Sequence, residues 1–469
     1  MASASRTSTL RPYGVTIPGL VVVGLYMALL SWAVEHSDYD TWGGILVATA
    51  LLLGSLPIVL RLARRETDRR VARLLPWALV LKLFASLVRL AITFGVYDGV
   101  ADASTYDVTA RMLAPLYRRG DFSTDVGPLV GTGFMKVLTG LVYALVGATR
   151  LGGFIIFSWM GFWGLYLFYR AFCLACPEGD RWRYARLVFL LPSLLFWPSS
   201  IGKEAWMTLA LGLAAYGAAR ILVRARGGFA ALAFGVLASV GVRPHVGVIL
   251  VVSLLPAYLL RRPPAGGSML APVAKLAGIL VLGLTLAVVV GQATQLFGVK
   301  DQFNSEAVTQ VLQRARKQTS EGGSVFVSKT TDLSPSAFPG ALVSVLFRPF
   351  PWEARNPLSL VASLEGTVLL ALFFASRGRV VGALRSVLHT PYVVLCLCYS
   401  VLFVYGFSAF ANFGVLTRQR VQVFPFLLVL LALPAYRHTE RGWRDLFTPP
   451  YAEERPTAAV ATGDTPAYR

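Results

Sequence analysis

Apolar residues in this chain gather into long runs, separated by short polar loops, with no sustained alternation of the kind a half-buried strand would show. A membrane-crossing helix needs about 20 apolar residues. Runs at 15–34, 43–60, 74–95, 150–172, 185–200, 203–223, 228–242, 244–260, 273–292, 357–376, 389–408 and 421–436 meet or approach that length. The pattern predicts an all-α polytopic membrane protein with about twelve transmembrane helices. The first run is not followed by a small-residue cleavage site and a soluble domain, so it reads as a retained span.

Basic residues in the loops set the orientation, because Arg and Lys collect on the cytoplasmic side. Arg61, Arg64, Arg65, Arg69, Arg70 and Arg73 follow the second run; Arg181, Arg183 and Arg186, then Arg224 and Arg226, Arg261 and Arg262, Arg377, Arg379 and Arg385, and Arg437, Arg441 and Arg444 occupy later alternate loops. All become cytoplasmic together if the apolar stretch 129–148 does not cross the bilayer. That stretch is therefore expected to be a re-entrant or interface-lying helix, with both termini inside. Residues 1–436 form a single transmembrane domain with outer loops at 97–149 and 292–356, and 437–469 form a cytoplasmic tail expected to be disordered at its end.

Composition supports the same class. Of 469 residues, 55% are hydrophobic and 14% charged, with a mean hydropathy of +0.61, more apolar side chain than a soluble core absorbs. The net charge of +20 would suggest nucleic acid in a soluble protein; here it lies mostly in loops, so the partner is the lipid bilayer and nucleic acid is not expected. Cys173 and Cys176, and Cys396 and Cys398, form neither a disulfide framework nor a completed zinc site.

The same topology sends a second class of residue outward. Asp98 and Asp102 stand four apart in the segment after the third run, so on a helical turn they would share a face and serve as a base or help hold a metal-bound diphosphate. Lys203 and Glu204 lie at the join of two runs, where ionisable residues are functional candidates. Arg243 and His245 sit in a very short hairpin; the Arg suits a phosphate or carboxylate, and the His is either a proton carrier or a structural hydrogen-bonding residue. Arg348 and Glu353 lie on a Pro- and aromatic-rich ledge, and Arg418 and Arg420 run against the positive-inside trend, which calls for an anionic partner or a neighbouring carboxylate. The plainer reading of these groups is a solvated loop with an aromatic belt and snorkelling cations. Arg314, Arg316 and Lys317 precede Glu321-Gly322-Gly323-Ser324, a lid or a surface helix, and Lys82 and Arg89 lie inside the third run, either lining a buried path, as in a transporter, or facing a groove or pairing internally.

The element Asp102-Ala103-x-x-Tyr106, in the first sizeable outer loop and followed by an interface helix and a span, resembles the GT-C class of membrane glycosyltransferases over roughly residues 74–260. The resemblance implies a sugar taken from a polyprenyl-phosphate carrier on the extracytoplasmic face of a bacterial cytoplasmic membrane, with Asp102 as the leading base and Asp98 second. It implies substrate binding by Tyr106, Lys203, Glu204, Arg243, His245, Arg348, Glu353, Arg418 and Arg420. The plan is also similar to bacterial O-antigen polymerases and ligases, which use arginines to bind undecaprenyl diphosphate. Partners would be a polyprenyl-linked sugar donor and a glycan or lipid-linked acceptor. A carboxylate beside a diphosphate works either through a divalent cation, magnesium or manganese, or as a base alone. A lipid-glycan flippase would need the same cations, together with inverted repeats and helices broken at mid-membrane; a scaffold of the cell envelope would not need charges converging at one mouth.

Overall fold

Backbone N–H and C=O groups in lipid have no water to bond, so a chain with these apolar runs satisfies them internally as helices. A computed structural model describes residues 13–123, 125–261, 271–297, 313, 316, 317, 319 and 334–435, and these contain helices and turns but no strand. The polar residues 1–12, Arg262, Arg314, the Glu321–Ser324 turn and the tail 437–469 lie outside the described residues, as does about half of the expected outer loop 292–356.

Helices α1 (Tyr13–His36), α2 (Tyr39–Arg64) and α3 (Arg69–Gly95) are followed by α4 (Asp102–Arg118) and α5 (Thr132–Val146). Then come α6 (Arg150–Ala175), α7 (Arg181–Leu190), α8 (Pro192–Phe196), α9 (Lys203–Leu222), α10 (Gly228–Val240), α11 (Pro244–Leu259) and α12 (Ala271–Phe297). The last group is α13 (Phe338–Phe347), α14 (Pro357–Ala375), α15 (Arg377–Arg385), α16 (Pro391–Phe407), α17 (Phe413–Gln419), α18 (Phe424–Leu427) and α19 (Val429–Ala432). Short polar side chains set several starts: Asp68, Thr149, Asp180 and Asn356 each accept a hydrogen bond from a first-turn N–H of α3, α6, α7 and α14.

Among the described residues, α2, α3, α6, α9 and α14 are long and apolar enough to cross a membrane, and the bent α17–α19 segment makes a sixth if it is one span. Leu53, Trp77, Leu280 and Val368 stand exposed on the outer faces of their helices, as lipid contact requires and water does not favour. This is a polytopic membrane architecture. Its centre is α6 packed on α9, with α10 on the far side of α9, the α2–α3 pair against α6, and α11 bridging to α12 and α16.

Small residues make that centre possible. Lipid tails are as apolar as leucine, so helices associate through close fit rather than through escape from water. A Cβ on Gly212 of α9 would overlap the Gly164 carbonyl of α6, and one on Gly235 of α10 would overlap the Ala214 backbone of α9.

Four expectations are corrected. The run 185–200 is not one helix: Pro192 has no N–H and holds Leu191 extended (φ −63°, ψ 124°), dividing α7 from α8. The run 421–436 is likewise divided, bending by 55° where the 3-10 turn Arg420–Gln422 meets Phe424 and Pro425. Residues 338–347, expected within an outer loop, form α13, an apolar helix packed on α16. Asp98 and Asp102 do not share a helical face, because Asp98 (φ 48°) and Gly99 (φ 75°) turn the backbone left-handed and α4 begins only at Asp102.

The stretch expected not to cross, 129–148, forms α5, whose 15 residues span about 22 Å. It pairs with α4, and polar bonds dock the pair onto the bundle. Asp107 of α4, with no exposed surface, accepts from Tyr143 of α5 (2.5 Å), Arg111 (3.2 Å) and Arg150 at the start of α6 (2.9 Å). Arg111 also reaches Asp40 in α2 at 2.7 Å, and Arg150 lies 4.2 Å over the Phe94 ring.

The packing leads to a contrast that thermal unfolding in detergent can check. Gly212→Ala is expected to cost about 1–3 kcal/mol by overpacking. Gly54→Ala on α2, where nothing lies within 4 Å of the added methyl, is expected to leave stability unchanged or slightly raised.

Candidate functional site

Four helix N-termini meet at one end of the bundle. Asp102 opens α4, Thr132 opens α5, Lys203 and Glu204 open α9, and Arg243 is the residue before Pro244 at the start of α11. The hairpin between α10 and α11 is held short by the Arg243 N–H donating to the Ser239 carbonyl (2.7 Å), and the Gly131 N–H donates to the Gly241 carbonyl (2.9 Å), bringing α5 beside it. A helix N-terminus carries partial positive charge, so their convergence favours an anion.

Charged side chains complete the site. Glu204, only 5% exposed, accepts from Arg243 at 3.0 Å and from Arg418, in the last turn of α17, at 3.3 Å. The same Arg418 nitrogen donates to Asp102 at 2.7 Å, so one guanidinium joins a buried carboxylate to one whose side chain is 56% exposed. Lys203 donates to the Thr132 hydroxyl at 3.1 Å, and Tyr106, buried on α4, lies beside the same threonine. Burial, and then the nearby Asp102 carboxylate, push the Tyr106 phenol well above its ordinary pKa, so it stays a neutral hydrogen-bonding group. His245 lies half-buried within electrostatic reach of Arg243 and Lys203, with its ring 5.9 Å from that of Phe407.

Arg89 of α3 joins this group, a role not assigned to it from the sequence. Its guanidinium stacks 4.7 Å from the Phe196 ring and 4.9 Å from that of Trp197, within electrostatic reach of Arg418, Glu204 and Asp102. Among the described residues its buried Nε has no hydrogen-bond partner, and neither has Nη1 of Arg243. Four cations, Arg89, Lys203, Arg243 and Arg418, therefore face two carboxylates, Asp102 and Glu204. The surplus of positive charge suits a ligand carrying at least one phosphate.

Other candidates are placed elsewhere. Arg348 pairs with Glu353 on the ledge and lies 5.1 Å over the Phe413 ring at the start of α17. Burial works against ionisation of Glu353, but the Arg348 guanidinium outweighs it and holds that carboxyl below its usual range. Arg420 is buried and donates to the Leu346 carbonyl at 2.8 Å, anchoring the end of α13. Asp98 makes the turn before α4 and has no described ion pair. Lys82, buried in α3, donates to the Leu194 (2.7 Å) and Leu195 (3.0 Å) carbonyls of α8, and Glu365 of α14 accepts from the Ser193 N–H (3.0 Å) and hydroxyl (2.6 Å) at that helix's other end.

Among the described residues no three His, Cys, Asp or Glu side chains group as metal ligands. Asp102 and Glu204 share Arg418 between them. No protein-family model matches the chain, and comparison with curated proteins and with solved structures gave no match.

Burial divides the two carboxylates into a structural and an available one, and stability measurements on purified variants test the division. Glu204→Gln, which leaves two arginines without their buried counter-charge, is expected to cost about 3–5 kcal/mol. Asp102→Asn, at a half-exposed pair, is expected to cost less than about 1 kcal/mol.

Proposed function

We propose that this chain is a GT-C-like membrane glycosyltransferase that moves a sugar or glycan from a polyprenyl-(di)phosphate carrier to a glycan or lipid-linked acceptor on the extracytoplasmic face. In this reading the chain crosses a bacterial cytoplasmic membrane about twelve times, with both termini inside, and serves cell-envelope polysaccharide or glycolipid synthesis. The observation that carries it is the convergence of four cations, two carboxylates and four helix N-termini at one end of an apolar bundle. The apolar helices suit a polyprenyl tail, and the charged end suits its phosphate.

The chemistry assigned to each group follows from its position. Arg89, Lys203, Arg243 and Arg418 neutralise the carrier phosphate as the bond between it and the sugar breaks. The acceptor oxygen forms the new bond at the anomeric carbon and gives its proton to Asp102, the exposed carboxylate. Glu204 holds Arg243 and Arg418 in place, and Tyr106 with Thr132 positions Lys203. No step is routed through magnesium or manganese. An O-antigen-type polymerase or ligase would use the same groups on a longer glycan.

A lipid-glycan flippase is a second reading, favoured by the helix breaks at Leu191–Pro192 and at Val423–Phe424. One assay separates the two: transfer of labelled sugar from a polyprenyl-linked donor by the purified chain in lipid vesicles. The native chain is expected to turn over and Asp102→Asn to lose at least about 100-fold with donor binding retained. Arg243→Ala is expected to weaken donor binding by about tenfold or more. Unchanged turnover in Asp102→Asn removes that residue from the mechanism, and donor movement across the vesicle wall without transfer replaces the transferase with a flippase.

A further inference from the structure

Away from the charged end, α2 carries a groove of about 310 Å³ lined, among the described residues, by Leu53, Leu56, Pro57, Leu60, Arg61 and Arg64 and their neighbours. The apolar part is one stripe of the helix, since residues three and four apart fall on the same face. From Leu53 to Leu60 it runs about 10 Å at 1.5 Å per residue. That is about two thirds of the roughly 15 Å of hydrocarbon in one leaflet. The two arginines stand together at one end, in the last turn of α2.

Their charges are unspent. Glu66 is engaged by Arg170 and Tyr169, and Asp68 by Arg70, so among the described residues Arg61 and Arg64 have no carboxylate partner. Arg65, Arg69, Arg70 and Arg73 follow directly, which makes this the most basic short segment of the chain. A basic cluster at the end of a membrane helix attracts anionic headgroups. An apolar slot within one leaflet, ending in two guanidinium groups with no carboxylate partner among the described residues, matches one ligand in shape and charge together.

We propose that α2 holds an anionic phospholipid, its acyl chain along Leu53, Leu56, Pro57 and Leu60 and its headgroup phosphate between Arg61 and Arg64. The site lies on the Arg-rich side of the bilayer and is independent of the donor site. Phosphatidylglycerol and phosphatidylcholine, titrated onto the purified full chain in detergent and counted by native mass spectrometry, test it. Phosphatidylglycerol is expected to bind about tenfold or more tightly than phosphatidylcholine. The double variant Arg61→Gln/Arg64→Gln is expected to lose that preference, and Arg61→Lys/Arg64→Lys to keep most of it. Leu56→Trp, which fills the slot, is expected to weaken binding of both lipids while leaving unfolding temperature unchanged. Equal binding of the two lipids by the native chain, or a preference that survives the glutamine substitutions, overturns the proposal.

Discussion

The arrangement at the charged end depends on one buried carboxylate that takes no part in it. Asp107 has no exposed surface, and its two oxygens are shared by Arg111, Tyr143 and Arg150, which belong to three different helices. Removing a charge from water is costly, and the cost is offset only when every partner is in place. The α4–α5 pair is thereby fixed to the start of α6 in one position. Asp102 and Tyr106 sit on the same helix as Asp107, so their placement against α9 and α17 follows from this pairing.

The charged end combines fixed and adjustable groups. Arg243 and Glu204 are both nearly buried and hold each other; Arg89 lies against the adjacent rings of Phe196 and Trp197. Asp102 alone among the ion-paired acids of the cluster has much of its side chain exposed. A group that accepts a proton from an incoming hydroxyl has to be reachable, while groups that neutralise phosphate work best when their geometry is set beforehand.

Much of this was legible in the sequence, for physical reasons. Basic residues collect on one side of a membrane protein, so the charges that fall at the other ends of the apolar runs, Asp102, Lys203, Glu204, Arg243 and Arg418, stood out, and folding brings them together. Arg89 did not stand out as a site residue, because its neighbours Phe196 and Trp197 lie more than a hundred positions away. For Asp107 only the i,i+4 relation to Arg111 is visible locally; Tyr143 and Arg150 are not. Hydropathy reported the apolar runs but not their continuity: Pro192 divides one run without making it less apolar, and α13, at ten residues, is too short to register as a span. Sequence shows charge and not pairing, so the bond between Arg348 and Glu353, five residues apart, was not visible in it.

Helix α8 is tethered at both ends to different parts of the chain. Lys82 of α3 gives two hydrogen bonds to its last carbonyls, and Glu365 of α14 accepts three from Ser193 at its start. Bonds of this kind, sheltered from competing water, are expensive to open without replacement. Five residues thus act as a rivet between early and late segments of the bundle, and its polarity matches the helix dipole, with the anion at the N-terminal end and the cation at the C-terminal end. Relative sliding of α3 and α14 would have to shear that rivet, so motions that accompany function are steered into the surrounding loops rather than into a sliding of these two helices.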